Sequence, residues 1–394
     1  MTRVLHYFEP STHGVPNYVA FLAEHQAKAG HDVEIIGPKP RDIEGVTWTD
    51  DQIRRRSLRS IRRSGRSAAR VAKKMNADVI HAHSFFAGLA IRMAKPSQPV
   101  VYTPHAWAFE RVGSSSRVAL ALERRLLRRT ARILCVSQGE ADIGMEHLGT
   151  RTPIVSIGSA VDLDRFSVDD SIDLEHRSHA YRPFVVCVGR ISDQKGQLAL
   201  AESWAKTMAD HPLQLVFVGA GHPDIDPDDY PVSEGNVHFV GPSSDVPGWL
   251  RAAEFSVQPS RWEAMSLATV ESLACGRPVI ATDVAGMYEA VADGPLTPAG
   301  VVVPSIADVA PMARSVFDGP VGGRGFATIA RQRAELLFSI ERLVAKTDEE
   351  YAIAADLLDL TRQPESVVEL RTADEQPEMV EAPIDLDDLP KFAA

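Results

Sequence analysis

The stretch from residue 259 to residue 286 constrains the fold most, because it reads as a loop, a helix of small residues, a tight turn and a buried strand. Glu263 lies in the loop, and Glu271 follows eight residues later, one turn into the helix. The first turn of that helix is expected to contain Ser266, Leu267 and Ala268. Free backbone N–H groups and the positive end of the helix dipole make such a start a natural seat for phosphate. The stretch therefore predicts a phosphate site between two carboxylates that can accept hydrogen bonds from hydroxyls.

A second motif, in the segment 183–196, places two cations after a strand. The segment begins as an apolar strand, continues through Gly189 to Arg190, and reaches Lys195 and Gly196 at the start of a helix. Both cations are expected at the carboxyl end of the strand, where two fixed positive charges can neutralise a departing diphosphate without a metal. The alternative is that both residues are solvent-facing members of a loop.

The N-terminal region reads as a Rossmann-like opening of strand, glycine turn, helix and strand. Residues 3–8 predict a buried strand, Gly14 lies in the turn, and a helix is expected from about Asn17 to Ala29. The dinucleotide fingerprint Gly-x-Gly-x-x-Gly is absent, which disfavours nicotinamide binding. Gly14 is a candidate binding residue, with a plain tight turn as the alternative.

Two further predicted strands, 78–84 and 100–107, each end in histidine. In open parallel sheets the carboxyl ends of the strands line the ligand crevice, so His105 is a candidate site residue. A histidine at a strand end is more often structural, and this alternative applies more strongly to His81 and His83.

Together these motifs resemble the retaining GT-B glycosyltransferases, specifically glycosyltransferase family four (glycosyl transferases group 1). The family pattern has Pro-Ser-x-x-Glu with a second Glu eight residues on, a Gly-Arg-x-x-x-x-Lys-Gly signature and a Val-Asp segment, matched here by Val161 and Asp162. Ala264, Met265 and Ser266 replace the usual Gly-Phe-Gly, and His13 stands where the first of two glycines is usual. The resemblance covers about residues 3 to 360.

The resemblance implies an α/β fold of the GT-B type, in which two Rossmann-like domains face each other with their parallel sheets across a cleft. Residues 1–166 would form the N-terminal domain, 167–182 the linker and 183–339 the nucleotide-sugar-binding domain. The helix 340–360 would cross back to complete the first domain. The acidic segment 362–394 is expected to be disordered, because it is rich in charge and proline and poor in apolar residues.

The implied activity is retaining transfer of a sugar from a nucleoside-diphosphate sugar to an acceptor hydroxyl, on a saccharide or lipid-linked saccharide in cell-envelope or polysaccharide synthesis. Neither a cofactor nor a metal is expected. The residues expected in catalysis are His105, Glu263, Arg190 and Lys195. Those expected to bind the donor are Gly14, Arg190, Lys195, Glu263, Ser266, Leu267, Ala268 and Glu271. The alternatives are another GT-B enzyme, such as a nucleotide-sugar epimerase, and a non-catalytic membrane-associated binding protein.

Charge distribution bears on partners and location. The net charge of −11 argues against nucleic-acid binding, yet residues 54–74 hold ten basic residues and no acidic one. An apolar seam within that run fits one face of a helix, and this face is expected to pack on the sheet: Leu58, Ile61, Ala68, Ala72 and Met75. The basic face suggests peripheral contact with an anionic membrane or a lipid-diphosphate acceptor, with a solvated helix as the alternative. Three cysteines and the lack of a long apolar run favour a cytoplasmic location, including the inner face of the membrane.

Overall fold

The computed structural model describes residues 1–10, 14–39, 41–50, 57–110, 114–168, 181, 183–221, 236–319 and 323–362. The chain divides into two compact units. The first unit holds residues 1–135, 141–157 and the chain from 344 onward, and the second unit holds 136–140 and 158–343. Each unit has its own parallel sheet, so the expected α/β class with two parallel sheets is confirmed.

The sheet of the first unit has seven strands among the described residues. Their spatial order is β3 (Val46–Thr49), β2 (Asp32–Ile36), β1 (Arg3–Phe8), β4 (Val79–His83), β5 (Val100–Thr103), β6 (Arg132–Cys135) and β7 (Ile154–Ser156). The central strands β1, β4, β5 and β6 are short and largely buried, as expected for strands that are covered on both faces. The register places His6 beside His81, and His83 beside Thr103, so that polar side chains of adjacent strands lie next to each other.

The helices of this region are α1 (Gly14–Lys28), α2 (Leu58–Lys74), α3 (Phe85–Ala94), α4 (Ser114–Leu126), α5 (Gln138–Leu148) and α12 (Ile340–Arg362). Helix α1 begins earlier than expected, so Gly14 is its first residue and does not lie in the preceding turn. Pro16 is compatible with this start, because the first N–H groups of a helix need no intrahelical partner. From Val344 onward α12 belongs to the first unit, where Asp348 and Tyr351 bind His31 and His81.

Helix α2 buries the expected apolar seam through Ile61, Ala68 and Ala72. The helix packs chiefly against α3, whereas the sequence had suggested packing on the sheet. Gly65 explains the difference, because a Cβ atom there would lie 2.0 Å from the carbonyl oxygen of Ala90 in α3. A glycine at this position lets the two helix backbones approach closely.

The sheet of the second unit has six strands within the described ranges. Their order is β10 (Val237–Phe239), β9 (Gln214–Val218), β8 (Phe184–Val188), β11 (Ser256–Gln258), β12 (Val279–Thr282) and β13 (Gly300–Val303). The helices are α6 (Gln197–Thr207), α7 (Val246–Ala252), α8 (Leu267–Ala274), α9 (Met287–Val291), α10 (Val309–Asp318) and α11 (Ala327–Leu337). The core lies around Trp204 and Phe217, which are almost completely buried between the sheet and α6.

The segment 158–166, which was expected in the N-terminal domain, is held by the second unit. Val161 N–H donates to the carbonyl of Phe338, and Arg331 donates to the carbonyl of Phe166. These hydrogen bonds satisfy backbone groups that no strand in this segment could pair. Of the predicted linker only 167, 168 and 181 are described, and the predicted tail beyond residue 362 lies outside the described residues. Among the helices that are described, none is both long and apolar enough to cross a membrane.

Candidate functional site

Arg190 lies just beyond the end of β8 and carries a positive charge with no described partner. Gly189 precedes it with φ of +148°. Gly219 packs against this turn, because a Cβ atom there would lie 2.0 Å from the carbonyl oxygen of Gly189. The Arg190 side chain is partly exposed, and its buried Nε has no hydrogen-bond acceptor among the residues described. The guanidinium is therefore available to an anion.

Lys195 and Glu263 contact each other directly, with 2.5 Å between Nζ and Oε1. Ser260 Oγ donates to the same carboxylate oxygen at 2.8 Å. Gly196 makes the contact possible, because it adopts φ of +68° and a Cβ atom there would meet the carbonyl oxygen of Pro259 at 2.2 Å. The two motifs that the sequence singled out thus form one cluster. The ammonium of Lys195 is paired with the carboxylate of Glu263 in this structure, a contact that the two sequence motifs did not predict.

Helix α8 begins as expected next to this cluster. Ser266 is its N-cap, and the Ser266 hydroxyl accepts a long hydrogen bond of 3.4 Å from Thr269 N–H. Leu267 and Ala268 follow as the first helical residues, so their N–H groups have no acceptor within the helix. Ala264 and Ser266, which stand at the two glycine positions of the family pattern, do not adopt positive φ. The backbone at these two positions therefore does not require the glycine of the usual family pattern.

Glu271 lies within α8 and is partly buried. Burial raises the pKa of its carboxyl from 4.5 to about 7, and the positive charges of Arg165 and Lys195 oppose that rise. No hydrogen bond to the carboxyl is found in the described parts of the chain. A carboxyl in this state can accept hydrogen bonds from a ligand that supplies hydroxyls.

Four histidines form a connected group in the first unit. His6 Nδ1 lies 3.0 Å from His83 Nε2, and His83 Nδ1 lies 3.1 Å from His105 Nε2. His81 stands beside this line, with its ring centroid 4.0 Å from that of His83. Its nitrogens bind the hydroxyls of Tyr351 at 2.6 Å and Thr103 at 2.7 Å. Burial lowers the pKa of every member, to about 4 for His6 and about 3 for His105.

Strained backbone marks the carboxyl ends of β4 and β5. Ser84 has φ of +71°, and the consecutive residues His105 and Ala106 have φ of +53° and +77°. Positive φ is costly for residues with a side chain and is concentrated at functional sites. The ring of Tyr18 from α1 packs on the His105 ring with 4.8 Å between centroids. The hydrogen bond to His83 and this contact hold the His105 ring in one position.

A metal is not favoured by the hydrogen bonding of this group. Ring nitrogens of His6, His81 and His83 lie within 4.8 Å of one another, which is close enough for a shared ion. Both nitrogens of each of these rings already have hydrogen-bond partners. Because a metal ligand needs a free lone pair, an ion would have to break several of these bonds. The absence of a metal stays a prediction.

The predicted residues thus fall into two sets. Gly14 and His105 lie in the first unit, where Tyr18 connects the helix that Gly14 begins to the His105 ring. The second unit holds the others: Arg190, Lys195, Glu263, Ser266, Leu267, Ala268 and Glu271.

Sequence reasoning missed three residues that support these sets, namely His6, Gln26 and Ser260. His6 gave a usable signal, because it is a polar residue inside an otherwise apolar buried strand. Gln26 gave none, since it lies on a helix whose buried face can be recognised only from the packing. Ser260 belonged to the recognised Pro-Ser pair but had no assigned partner.

Comparison with known proteins decides the family. The profile described as Glycosyltransferase Family 4 matches residues 12–165, and the profile described as Glycosyl transferases group 1 matches residues 182–317. A D-inositol 3-phosphate glycosyltransferase of Geodermatophilus obscurus is 30% identical over 312 residues, which cover 71% of this chain and 67% of the relative. The chain belongs to glycosyltransferase family 4.

Other members of the family are similar over shorter regions. An alpha-maltose-1-phosphate synthase of Mycolicibacterium smegmatis is 29% identical, with 55% of this chain and 62% of that protein covered. A UDP-Gal:alpha-D-GlcNAc-diphosphoundecaprenol alpha-1,3-galactosyltransferase of Escherichia coli is 28% identical, with 56% and 61% covered. The matched regions thus span less than two thirds of these two relatives.

Solved structures show the same fold. Sucrose-phosphate synthase of Thermosynechococcus elongatus has a TM-score of 0.71 at 21% identity, with 93% of this chain and 100% of that chain covered. The Anabaena protein HepE in complex with UDP-glucose has a TM-score of 0.72 at 17% identity, with 89% and 100% covered. The GT-B fold that the sequence predicted for this family 4 protein is confirmed.

Proposed function

We propose that this protein is a retaining glycosyltransferase that moves a sugar from a nucleoside-diphosphate sugar to an acceptor hydroxyl. The observation that carries the proposal is the arrangement in the second unit, where Arg190 has no partner among the described residues and the Lys195–Glu263 pair lies just before the start of α8. Cations together with free N–H groups at a helix start recognise a diphosphate. The E. coli relative is named as a galactosyltransferase that uses UDP-Gal, and the HepE structure contains UDP-glucose. Both observations support a donor of this class.

The donor would lie along α8 in a defined order. Arg190, Lys195 and the N–H groups of Leu267 and Ala268 hold the diphosphate, while Glu271 accepts hydrogen bonds from the ribose hydroxyls. Glu263 accepts a hydrogen bond from a sugar hydroxyl and keeps Lys195 in position through the contact seen here. This order follows from the approximately one-turn separation of Leu267 and Glu271 along the helix.

The reaction breaks the bond between the anomeric carbon and the phosphate oxygen, while the acceptor oxygen bonds to the same carbon. Negative charge accumulates on the departing diphosphate, and the cations with the helix start stabilise it. The proton of the acceptor hydroxyl passes to a departing phosphate oxygen, so that attack occurs on the face that the donor leaves and the configuration is retained. His105 binds a substrate hydroxyl in this scheme, and neither a metal nor a cofactor takes part.

The test combines donor binding with turnover. Thermal stability is measured with UDP-, GDP- and ADP-sugars in the presence of a chelator, and release of the nucleoside diphosphate is then measured with saccharide and lipid-linked acceptors. We expect one donor class to stabilise the wild type, and Lys195→Ala to lose that shift and most of the turnover. Lys206→Ala is the matched control, because it removes the same charge from an exposed position near the other end of α6.

Three results would contradict the proposal. The first is equal donor binding and turnover by Lys195→Ala and the wild type. The second is donor binding without transfer to any acceptor, which would favour a non-catalytic binding protein. The third is inversion of the anomeric configuration in the product, read by NMR, which would exclude the retaining mechanism.

We also propose that α2 brings the enzyme to an anionic membrane surface, where a lipid-linked acceptor would be found. Within the described residues, five exposed arginines of this helix have no acidic partner: Arg59, Arg62, Arg63, Arg66 and Arg70. Each basic residue near an anionic surface contributes about 1 kcal/mol of attraction. The buried seam on the opposite face fixes which side of the helix presents these charges.

Vesicle sedimentation tests this part of the proposal. We expect binding to vesicles that contain an anionic lipid, weaker binding at higher salt, and none to neutral vesicles. Arg62→Glu with Arg63→Glu should abolish binding, whereas Arg314→Glu, an exposed arginine of the second unit, should leave it unchanged. A protein that stays in solution with every vesicle would show that α2 is only a solvated basic helix.

A further inference from the structure

A continuous line of hydrogen bonds runs through the first unit from α1 to His105. Gln26 Oε1 lies 2.7 Å from His6 Nε2. His6 Nδ1 lies 3.0 Å from His83 Nε2, and His83 Nδ1 lies 3.1 Å from His105 Nε2. Gln26, His6 and His83 are completely buried, and His105 is partly exposed. The line therefore connects a buried amide to the candidate site residue without an intervening gap.

The amide oxygen determines the direction of every bond in this line. A carbonyl oxygen can only accept, so His6 must carry its proton on Nε2. A neutral histidine has one N–H group, which leaves His6 Nδ1 as the acceptor of a proton held on His83 Nε2. By the same reasoning, His83 Nδ1 accepts from His105 Nε2. The last ring then has its proton on Nε2 and a lone pair on Nδ1.

This direction of the hydrogen bonds depends on neutral histidine rings and on a Gln26 amide that is not reversed. Burial lowers the pKa of all three histidines, so each is neutral at pH 7. The other end of the Gln26 amide faces α12. Burial raises the pKa of Asp348, and His31 and the nearby Gln26 amide oppose that rise. Gln26 Nε2 itself makes no hydrogen bond of normal geometry within the described residues. A reversed amide would point its oxygen at this carboxyl, and repulsion between the two oxygens disfavours it.

His105 Nδ1 has no hydrogen-bond partner in the described part of the chain. Its Nε2 binds His83, and no described group makes a hydrogen bond with Nδ1. The Tyr18 ring packs edge to face on the imidazole, which opposes rotation of the ring. The exposed part of His105 therefore offers a ligand a lone pair and not an N–H group.

We propose that Gln26 is a positioning residue that sets His105 as a hydrogen-bond acceptor, through the tautomers of His6 and His83. The ligand group that fits is a hydroxyl that donates its proton to His105 Nδ1. That this hydroxyl belongs to the sugar donor or the acceptor rests on the proposed function. The tautomer itself depends only on the geometry of the first unit.

Nitrogen NMR of the full chain, labelled with ¹⁵N-histidine, tests the proposal directly. In the wild type at pH 7 we expect His6, His83 and His105 all to show a protonated Nε2 and an unprotonated Nδ1. Gln26→Leu removes the acceptor at the start of the line. His105 should then also populate the tautomer that has its proton on Nδ1. Histidine substitutions one at a time assign the signals.

Gln214 provides the matched control. Its Oε1 lies 2.7 Å from His238 Nε2 in the second unit, the same distance as in the pair of Gln26 and His6. Gln214→Leu should change the signals of His238 and leave those of His105 unchanged. An effect of both variants on His105 would mean that general loosening of the protein, and not the relay, controls the tautomer.

The wild type alone can overturn the proposal, even if Gln26→Leu does not fold. A proton on His105 Nδ1, or a charged His105 at pH 7, would refute the relay. An unchanged His105 tautomer in folded Gln26→Leu would refute the role of Gln26. In the transfer assay, this variant should lose about tenfold in kcat/KM. A wild type that has the expected tautomer but transfers no sugar would support the relay and contradict the proposed function.

Discussion

Replacing Glu271 with Gln should stabilise the protein and weaken donor binding at the same time. The carboxyl is partly buried in α8 without a hydrogen bond from any described group, and burial raises its pKa from 4.5 to about 7. The folded state therefore prefers the neutral acid. Glutamine has nearly the same shape and is always neutral, so it removes the cost of ionising this position. It also removes one of the two oxygens that can accept ribose hydroxyls.

The size of the effect follows from proton linkage. With a pKa of 4.5 unfolded and about 7 folded, the folded state binds the proton more tightly, so the contribution to stability is present below pH 4.5 and is lost as the pH rises through 7. The full loss is about 3 kcal/mol, at 1.36 kcal/mol for each pKa unit. For a unit of about 150–250 residues this corresponds to roughly 6–12 °C in Tm.

The assay is thermal unfolding of wild type and Glu271→Gln at pH 4.5 and pH 8.5, with and without the donor. We expect similar Tm values at pH 4.5, and a higher Tm for the variant at pH 8.5 without ligand. The donor should raise the Tm of the wild type more than that of the variant. Glu202→Gln, at an exposed position in the middle of α6, is the control for loss of a carboxylate and should change neither quantity.

A lower Tm of Glu271→Gln at pH 8.5 would refute the reasoning, because it would mean that the ionised carboxylate stabilises the fold. A Tm difference that is equal at both pH values would also refute it, since the effect would then not arise from ionisation. Higher stability combined with weaker donor binding is the pattern of a residue kept for function at a cost in stability.

Two further substitutions test the packing that supports the sites. Gly196→Ala should lower the free energy of unfolding by about 1–3 kcal/mol and weaken donor binding, because the new methyl group would meet the carbonyl oxygen of Pro259 at 2.2 Å. Gly30→Ala is the control, because Gly30 also has a positive φ but a Cβ atom there would have no atom within 4 Å. Denaturation in urea checks both variants, and equal losses would contradict the steric explanation. Glu123→Ala should cost about 3–5 kcal/mol in the same measurement, because it leaves the fully buried Arg92 unpaired. The double variant Arg92→Met with Glu123→Leu should recover most of the lost stability. A double variant that is no more stable than Glu123→Ala would contradict this explanation.

The second unit could be predicted well because its information is local. An apolar strand followed by Gly189-Arg190 and then by Lys195-Gly196 specifies a strand, a turn and a helix start over a few residues. The N-cap role of Ser266 follows equally from neighbouring residues. What these local patterns did not contain is the pairing of Lys195 with Glu263, since those residues are 68 positions apart in the chain.

The first unit was harder to predict because its important contacts join distant strands. His105 was recognised from its position after a strand, but His6 and Gln26 were not. Their role becomes visible only when the register of β1 and β4 places His6 beside His81 and close to His83. The start of α1 at Gly14 was also missed, because proline is tolerated within the first turn of a helix and so does not fix the first residue.

The sequence by itself determined the fold class, the family and the chemical types of the candidate site residues, because these depend on apolar periodicity, glycine turns and short spacings along the chain. Tertiary structure alone decided the state of those groups. It paired Lys195 with Glu263, left Arg190 without a described partner, raised the pKa of Glu271 by burial and joined Gln26 to His105 through two histidines. The physical reason is that ionisation and hydrogen-bond direction depend on which groups lie within a few ångströms of each other and on how much hydration they lose. The spacing of residues along the chain determines neither of these.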